Sequence, residues 1–271
     1  MAEFNPKISI IMGIYNCAAT LTEAIDSILA QTYPHWKLIM CDDGSADNTY
    51  KIAKEYALKY PEKIILIKNE KNMGLNFTLN HCLEYADTEY IARMDGDDIS
   101  LPQRLEKEIE FLQNNPQYSI VSCPMIYFDE NGDFRTGNAL GEPNINNIAK
   151  STPFCHAPCL VKAEAYHAVN GYAIDDKRLR VEDWDLWVRM YEKGYRGYNL
   201  SEPLYKMRDD RNAYSRRKFK FRINEARVTA SAIKKLNLSK KYYIWILRPI
   251  IVGLLPKTVY NFLHKRKLSK R

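Results

Sequence analysis

The first 116 residues alternate between short apolar runs and longer amphipathic stretches. The apolar runs predict buried strands at residues 8–14, 36–41, 63–67 and 89–94. The amphipathic stretches carry apolar residues three or four positions apart, and they predict helices at about 20–31, 47–60, 76–86 and 101–112. This alternation, with its short connections, predicts right-handed crossovers and an α/β fold with a mostly parallel central sheet flanked by helices.

Two of these helices have recognisable start signals. Thr20 and Glu23 have the spacing of a capping box, in which each side chain bonds the other residue's backbone N–H. Ser100 is the predicted N-cap of the fourth helix, with Pro102 in its first turn.

After about residue 116 the pattern becomes less regular. It predicts strands at 118–123, 125–128 and 155–162, and a hairpin-type turn at 129–132. It predicts helices at 163–169, 181–191 and about 213–235, and a polar, strongly basic loop at 205–217.

Polar residues follow the predicted strands of the first half at their carboxyl ends. These residues are Tyr15, Asn16, Asp42, Asp43 and the acidic turn, residues 95–98, with the sequence Asp-Gly-Asp-Asp. Ligands of open α/β sheets bind at this edge. Three neighbouring carboxylates repel each other unless a cation joins them, and oxygen ligands favour Mg²⁺ or Mn²⁺. A solvated acidic turn is the alternative.

Composition and charge narrow the class of protein. The chain has 271 residues, and its 46% hydrophobic and 12% aromatic content is typical of a globular protein with a sizeable core. The formal net charge is +7, but no Asp or Glu follows Glu225, so the C-terminal part is basic. Such a segment favours nucleic acid or an anionic membrane as partner.

The six cysteines fall mostly in apolar segments, which predicts free thiols in a reducing compartment. Cys155 and Cys159 flank a histidine, but no further pair completes a zinc site. The N-terminus has Glu3 and Asn5 where a signal peptide would carry an apolar run, so we expect no signal peptide.

Residues 238–265 carry apolar stretches too short to span a membrane. Arg248, Pro249, Gly253 and Pro256 interrupt them. The interrupted pattern predicts two short amphipathic helices lying on a membrane surface, and a helical hairpin covering the sheet is the alternative.

Four motifs occur in a fixed order, at residues 8–16 (ISIIMGIYN), 42–45 (DDGS), 95–98 (DGDD) and 182–187 (EDWDLW). In this order they resemble family 2 glycosyltransferases, which have the GT-A fold, and within that family they most resemble bacterial exopolysaccharide and capsule enzymes. The resemblance covers about residues 7–217. It implies an inverting enzyme with a nucleotide-diphosphate sugar donor, a hexosyltransferase in type.

The resemblance also implies a division of the chain. Residues 1–217 form the GT-A domain, with a donor-binding half at about 1–116 and an acceptor half at about 117–217. Beyond the resemblance, residues 218–271 are predicted to form a helical, basic C-terminal extension, and the pattern of apolar and basic residues in it predicts association with the membrane.

On the donor side, the resemblance assigns roles to the polar residues at the strand ends. Tyr15 stacks on the nucleobase, and Asp43 accepts a hydrogen bond from a base N–H, with Asp42 as the alternative. Asp95 and Asp97 lie at the ribose and the metal-bound diphosphate, and both are metal-ligand candidates, Asp97 first. Asp98 either binds directly or holds the turn.

On the acceptor side, Asp183 matches the catalytic base, and Glu182 beside it orients the helix end or the acceptor. Trp184 and His156 are further acceptor-side candidates, although a core role suits His156 equally. The alternative for the acids is that they only favour a helix N-terminus, which is the reading we prefer for Asp185.

Positively charged residues are expected to bind the negatively charged diphosphate of the donor. The candidates lie in or after the polar loop, namely Lys206, Arg208, Arg211, Arg216 and Arg217. Arginine binds phosphate bidentately, and Arg208 and Arg217 are named as donor-site candidates, but the sequence does not decide which of the five binds. A solvated basic face is the alternative.

The resemblance implies a UDP-sugar in preference to other donors, a polyprenyl-linked saccharide acceptor and no nucleic acid. Together with the apolar and basic pattern of residues 238–271, it favours a cytoplasmic enzyme that contacts the inner face of the cell membrane peripherally through this segment. A nucleotidyltransferase is disfavoured because Tyr15-Asn16-Cys17 stands where a glycine-rich basic loop belongs, and a dehydrogenase because no Gly-x-Gly-x-x-Gly follows the first strand. A non-enzymatic or bifunctional protein-binding module stays open as an alternative.

Overall fold

The computed structural model describes residues 5–209 and 218–255. Its strands are β1 (Ile8–Ile14), β2 (Trp36–Asp42), β3 (Ile64–Lys68), β4 (Tyr90–Arg93), β5 (Ile99–Ser100), β6 (Ile120–Ser122), β7 (Met125–Asp129), β8 (Gly132–Thr136), β9 (Leu160–Lys162), β10 (Gly197–Asn199) and β11 (Tyr205–Arg208). Its α-helices are α1 (Leu21–Leu29), α2 (Thr49–Lys59), α3 (Leu75–Leu83), α4 (Arg104–Asn114), α5 (Ala163–His167), α6 (Glu182–Glu192), α7 (Phe219–Lys235) and α8 (Leu247–Leu254).

A seven-stranded sheet forms the centre, in the order β10-β6-β9-β4-β1-β2-β3. Neighbouring strands are parallel except at β9, which is antiparallel to both β4 and β6. The mostly parallel α/β sheet predicted from the sequence is therefore confirmed. The register pairs Ile8 with Trp36 and Ile14 with Asp42, so β1 and β2 end level and their polar successors lie side by side.

A second sheet of four strands, β5-β11-β7-β8, lies beside the acidic turn. Two predictions fail here. Residues 205–208, predicted as part of a loop, form β11, and Ser100, predicted as an N-cap, lies in β5 and pairs with Tyr205. α4 begins only at Arg104. Strands of two and four residues are too short to show a periodicity, and this pairing joins segments more than 100 residues apart.

The predicted strand at 155–162 is also shorter than expected, since only Leu160–Lys162 pairs. The carbonyl of Cys155 instead accepts hydrogen bonds from the Ser122 hydroxyl (2.8 Å) and the Cys159 thiol (2.9 Å). Side-chain donors, and not the backbone of a neighbouring strand, therefore satisfy this carbonyl. All six cysteines are free thiols, as predicted.

Alternate side chains of β1 enter two hydrophobic clusters on opposite faces of the sheet. Ile10 and Met12 pack in the cluster that includes α1 and α4, and Ile11 packs in the cluster that includes α3 and α6. A central strand buried on both faces explains why its sequence is an uninterrupted apolar run.

The C-terminal helix α7 packs on the face of the sheet that α3 and α6 also cover. α7 contributes Val228, Ala232 and Ile233, all buried, against α6 and its surroundings. A 3₁₀ helix, Lys240–Ile246, then leads into α8. The described part of the segment predicted at 238–265 is therefore helical, and residues 256–265 of that prediction lie outside the described residues. Among the described residues, no helix combines the length and hydrophobicity needed to cross a membrane.

Candidate active site

The ends of β1 and β2 are joined through their loops. Asn16 has φ +48°, its backbone N–H donates to the Ser45 hydroxyl (3.0 Å), and its side-chain oxygen accepts from Ala46 N–H (2.9 Å). The Tyr15 ring beside it is 49% exposed. An exposed aromatic ring on a fixed strand end is a suitable surface for stacking a nucleobase.

Asp43 is buried and is already engaged within the protein. Its Oδ1 accepts from Asn69 Nδ2 (2.8 Å) and Met73 N (2.7 Å), and its Oδ2 accepts from Gly74 N (2.9 Å). The carboxylate therefore anchors the loop that leads into α3. Gly44 permits this closeness, since its φ is +75° and an added Cβ would lie 2.9 Å from Asn72 N.

Asp42 has more acceptor capacity than Asp43. Its Oδ2 accepts from Ser45 N (3.3 Å), whereas its Oδ1 is buried and has no hydrogen-bond partner within the described residues. A buried acceptor without a donor is unfavourable. Of the two carboxylates considered for the base N–H, Asp42 is the one with an unused acceptor oxygen, and both side chains are buried.

The acidic turn brings its three carboxylates together. Oxygens of Asp95, Asp97 and Asp98 lie within 4.8 Å of one another, and Asp97 is the exposed member. Burial and the neighbouring carboxylates raise the pKa of Asp97, and they raise the pKa of Asp98 to about 8. This mutual repulsion is what a divalent cation would relieve, and an all-oxygen set suits Mg²⁺ or Mn²⁺. Elsewhere in the described residues no second cluster of this kind occurs.

Asp98 holds the turn in place. It is 2% exposed, and its Oδ1 accepts from the backbone N–H of Arg208 (2.8 Å). The Tyr205 side chain also hydrogen-bonds the Asp98 carboxylate, and its hydroxyl oxygen accepts from Asp95 N (3.2 Å). Asp98 thus fastens β11 to the acidic turn, which is one of the two roles considered for it.

The predicted capping box is not formed. The Thr20 hydroxyl makes no cap hydrogen bond and lies within bonding distance of the carbonyls of Gly96 (3.0 Å) and Cys17 (3.2 Å). Gly96 fits tightly, since an added Cβ would lie 2.9 Å from the Cys17 sulfur. Glu23 pairs with Arg208 instead (2.5 Å). Both side chains thus make contacts at or beside the acidic turn. These partners are distant in sequence, so the three-residue spacing of Thr20 and Glu23 cannot reveal them.

Arg208 lies beside the acidic turn, as its predicted role requires. Its Nε donates to Asp97 O (3.1 Å), and its guanidinium stacks 4.5 Å from the Phe128 ring centre. Lys206 instead pairs with Asp133 (2.7 Å). The other three candidates, Arg211, Arg216 and Arg217, lie outside the described residues.

Sequence reasoning missed Arg93, a charged residue in the apolar strand β4. It is 5% exposed, and its Nη2 pairs with Asp95 Oδ1 (2.5 Å). Burial raises the pKa of Asp97, Glu182 and Asp183, and the charge of Arg93 partly opposes that rise at all three. An arginine inside an otherwise apolar strand was the available signal, because buried charges are almost always paired.

Glu182 and Asp183 lie half-buried in the first turn of α6. Burial raises the pKa of both carboxyls, and at Asp183 hydrogen bonds from Trp184 N–H and the Thr152 hydroxyl act in the opposite direction. A carboxylate with a raised pKa accepts a proton more readily than an ordinary Asp does, which suits a general base.

Two other acceptor-side candidates are structural. Trp184 is 8% exposed and its indole N–H donates to Ile148 O (2.7 Å), so the side chain is not available to an acceptor, contrary to the prediction. The reason is that its ring packs into the core beneath α6. His156 bonds the Tyr172 hydroxyl through Nε2 (2.8 Å), and its pKa is lowered by burial and by Arg93. This environment favours the core alternative for His156.

Asp185 is also structural. It is 3% exposed and bridges Arg178 Nε (2.6 Å) and Arg189 Nε (2.8 Å). The bridge connects α6 to the loop that precedes it, so Asp185 has a partner besides the helix N-terminus.

The sequence profile of "Glycosyl transferase family 2" matches residues 9–167. The chain belongs to glycosyltransferase family 2. It is 47% identical to the putative glycosyltransferase EpsE of Bacillus subtilis, over 98% of this chain and 96% of that protein. It is 28% identical to the UDP-Glc:α-D-GlcNAc-diphosphoundecaprenol β-1,3-glucosyltransferase WfaP of Escherichia coli, over 96% of this chain and 98% of that protein. This protein is therefore a glycosyltransferase.

The fold agrees with that assignment. The crystal structure of Staphylococcus aureus TarS 1–349 in complex with UDP superposes with a TM-score of 0.69, at 20% identity, over 89% of this chain and 69% of that one. At that identity the likeness concerns the fold alone, which is GT-A.

Proposed function

We propose that this enzyme transfers a sugar, with inversion, from a UDP-sugar to a saccharide carried on a polyprenyl diphosphate, in the synthesis of a bacterial surface polysaccharide. The observation that carries the proposal is the separation of two sets of acids. The acidic turn follows β4, whereas Glu182 and Asp183 begin α6. A single displacement needs one group for the leaving diphosphate and another for the incoming hydroxyl, and the two sets meet that need.

Asp97 and Asp95 are the residues that would hold the divalent cation. Asp97 is exposed, and Asp95 is half-buried and balanced by Arg93. Asp98 is occupied by Arg208 N–H and Tyr205 and is a weaker candidate. When bound, Mg²⁺ or Mn²⁺ offsets the negative charge that builds on the departing diphosphate.

The remaining donor contacts follow from the same edge of the sheet. Tyr15 stacks on the uracil ring, and Asp42 accepts the base N–H after a small local opening, since its free oxygen is buried. Arg208 is near enough to Asp97 to contact the diphosphate once Glu23 releases its Nη2. Arg217 keeps the predicted phosphate role, although it lies outside the described residues.

Asp183 acts as the general base. It takes the proton of the acceptor hydroxyl as that oxygen bonds to the anomeric carbon, and the bond from this carbon to the diphosphate oxygen breaks on the opposite face. Burial keeps the carboxylate poorly solvated, and the Thr152 hydroxyl fixes its orientation. Glu182, beside it, helps to orient the acceptor.

The proposed acceptor and location rest on a relative and on chemistry. WfaP acts, by its name, on a diphosphoundecaprenol-linked sugar. Six free thiols favour a reducing compartment, here the cytoplasmic side of the cell membrane. We keep the division into a donor half at about 1–116, an acceptor half at about 117–217 and a C-terminal extension from 218 as part of this proposal.

Thermal shift with a panel of UDP- and GDP-sugars tests the donor. We expect a UDP-sugar to raise the melting temperature in the presence of Mn²⁺ or Mg²⁺, and EDTA to remove most of that shift. The donor that binds is then assayed for transfer to a polyprenyl-diphosphate saccharide, and the anomeric configuration of the product is read by NMR. A retained configuration, full activity in EDTA, or a shift with GDP-sugars alone would contradict the corresponding part of the proposal.

A further inference from the structure

The outward side of the C-terminal helical segment is apolar. Ile244, Leu247, Ile251 and Leu254 are 67%, 56%, 57% and 70% exposed, respectively. Their spacing of three, four and three residues puts them on one side of the helical run formed by Lys240–Ile246 and α8. We refer to these four side chains as the outer apolar face.

The orientation of this face is fixed by packing on the other side of the helix. Pro249 is buried. An added Cβ at Gly253 would lie 2.9 Å from Phe219 Cδ2 and 3.0 Å from Arg222 Cγ, so α8 lies in close contact with α7. α8 therefore cannot rotate to bury its outer apolar face without losing this contact.

Basic and aromatic side chains accompany the outer apolar face. Lys240, Lys241 and Arg248 are exposed, and Tyr243 is 46% exposed. No Asp or Glu occurs in the sequence after Glu225. An apolar helix side bordered by lysine, arginine and tyrosine is typical of helices that lie in the interface of an anionic bilayer.

We propose that the outer apolar face docks on an anionic bilayer, with Lys240 and Lys241 at the lipid headgroups. The inference deepens the proposed function, on which it rests, because the proposed acceptor is carried on a lipid. A second copy of this chain is a poorer occupant, since a two-fold contact through this face would bring the like-charged Lys240 and Lys241 of both copies together, and the segment itself contains no Asp or Glu.

The proposed docking surface is connected to the segment that contacts Asp183, the proposed base. Arg248 Nη1 donates to Lys150 O (3.2 Å), and Lys150 Nζ lies 5.2 Å from the Trp245 ring centre. Two residues further on, Thr152 hydrogen-bonds the Asp183 carboxylate. The helices proposed to contact lipid thus touch the segment that holds the base, which brings the acceptor site near the membrane.

Vesicle sedimentation with the full chain, without donor or acceptor, tests the docking. One set of vesicles is phosphatidylcholine alone, and the other contains equal amounts of phosphatidylcholine and phosphatidylglycerol. We expect the protein to pellet with the anionic vesicles and to be released by high salt. Leu254→Gln should lower the partition coefficient about tenfold, because a large exposed apolar side chain no longer enters the interface.

The chain offers a matched control for that variant. Leu58 lies on α2 and is 71% exposed, against 70% for Leu254. Leu58→Gln should leave the partition coefficient within about twofold of the parent, since α2 is not part of the proposed surface. Lys240→Gln and Lys241→Gln should each weaken binding about fivefold, on anionic vesicles only. Unchanged thermal melting of all four variants establishes that they are folded.

Equal pelleting of Leu254→Gln and Leu58→Gln would overturn the proposal. So would a dimer in light scattering that Leu254→Gln dissociates, because the second copy would then be the occupant. Transfer to a short-chain, water-soluble acceptor without vesicles separates the two hypotheses. Transfer to that acceptor by a protein that does not bind vesicles would overturn the docking proposal and support the proposed function. Vesicle binding without transfer from any donor would support the docking proposal and contradict the proposed function.

Discussion

The carboxylates of the proposed donor edge and those of the proposed acceptor end make different contacts within the protein. On the donor edge, Asp43 accepts three hydrogen bonds from the loop before α3, and Asp98 fastens β11 to the acidic turn. At the acceptor end, the contacts of Asp183 come from its own helix and from the Thr152 hydroxyl. The carboxylates on the proposed donor edge therefore hold several segments together, whereas Asp183, the proposed base, hydrogen-bonds to its own helix and to Thr152.

The comparison explains why neighbouring acids in one motif have different roles. Asp97 is exposed and Asp98 is buried, although only one peptide bond separates them. In α6, Asp183 is half-buried and accepts a hydrogen bond from the Thr152 hydroxyl, whereas Asp185 bridges two arginines. Each acidic motif thus contains residues proposed to act on ligands or substrates and residues that hold segments together. Substitutions should separate the two kinds by their effects on activity and on stability.

The largest effect is expected from Asp183→Asn. Loss of the general base should lower the transfer rate about 10³-fold or more, while UDP affinity stays within about twofold because the donor edge is untouched. Steady-state transfer rates and UDP titration by calorimetry measure the two quantities. Glu182→Gln is the neighbouring control, with a smaller loss. Normal turnover by Asp183→Asn would move the base elsewhere.

Asp97→Asn should have the next largest effect. It removes the exposed ligand candidate, so Mn²⁺-dependent donor affinity should fall about tenfold to a hundredfold. The melting temperature should stay the same or rise, because one of three repelling carboxylates is gone. If donor affinity in Mn²⁺ were unchanged, Asp97 would not be a metal ligand.

Asp43→Asn should mainly destabilise the fold. The amide NH₂ cannot accept, so at least one of three donors in the loop before α3 loses its partner, at about 2 kcal/mol. The melting temperature should fall by about 5 °C. Asp42→Asn, which disturbs one long hydrogen bond, should cost less. Equal losses for the two variants would contradict the anchoring role assigned to Asp43.

Thr152→Val should change the pH profile more than the rate at its optimum. Burial raises the pKa of Asp183, and the Thr152 hydroxyl counteracts that rise. The base must be ionised, so activity falls as pH decreases through its pKa. Without the hydroxyl the pKa is higher, and the acidic limb of kcat should shift towards higher pH. An unshifted limb would show that Thr152 does not act on the base.

The smallest effect is expected from Glu23→Gln. Glu23 is largely exposed, so its ion pair with Arg208 contributes no more than about 1 kcal/mol to stability. Freed from Glu23, Arg208 is available to the diphosphate, and donor affinity should rise by less than about threefold. Leu58→Gln, far from the turn, is a neutral control. A large loss of affinity would mean that Glu23 holds Arg208 in its binding position.

The fold could be predicted from the sequence where local pattern reports burial. The apolar runs of β1, β2 and β4 and the helical spacing of α1 and α2 were sufficient, because a strand buried on both faces and a helix buried on one have distinct periodicities. β5 and β11 could not be predicted, since two and four residues carry no period. The capping box failed because tertiary partners for Thr20 and Glu23 outcompeted the local ones.

The candidate site was predictable in composition and less so in roles. The acids at the strand ends were identified from sequence, and the edge they share follows from parallel-strand geometry. Arg93 was missed because a charge within an apolar strand has no local partner to indicate its use, and Trp184 was assigned to the acceptor although it enters the core.

The sequence by itself determined most strands and helices of the central sheet, the family, and the set of carboxylates from which the candidate site is built. These depend on periodicity and on short motifs, which are local properties of the chain. Only the tertiary structure decided that Asp98 and Asp43 fasten segments, that Asp42 keeps a free oxygen, and that α8 presents an apolar face outwards. Those outcomes depend on which donors and surfaces distant segments bring to each side chain, and packing alone determines that.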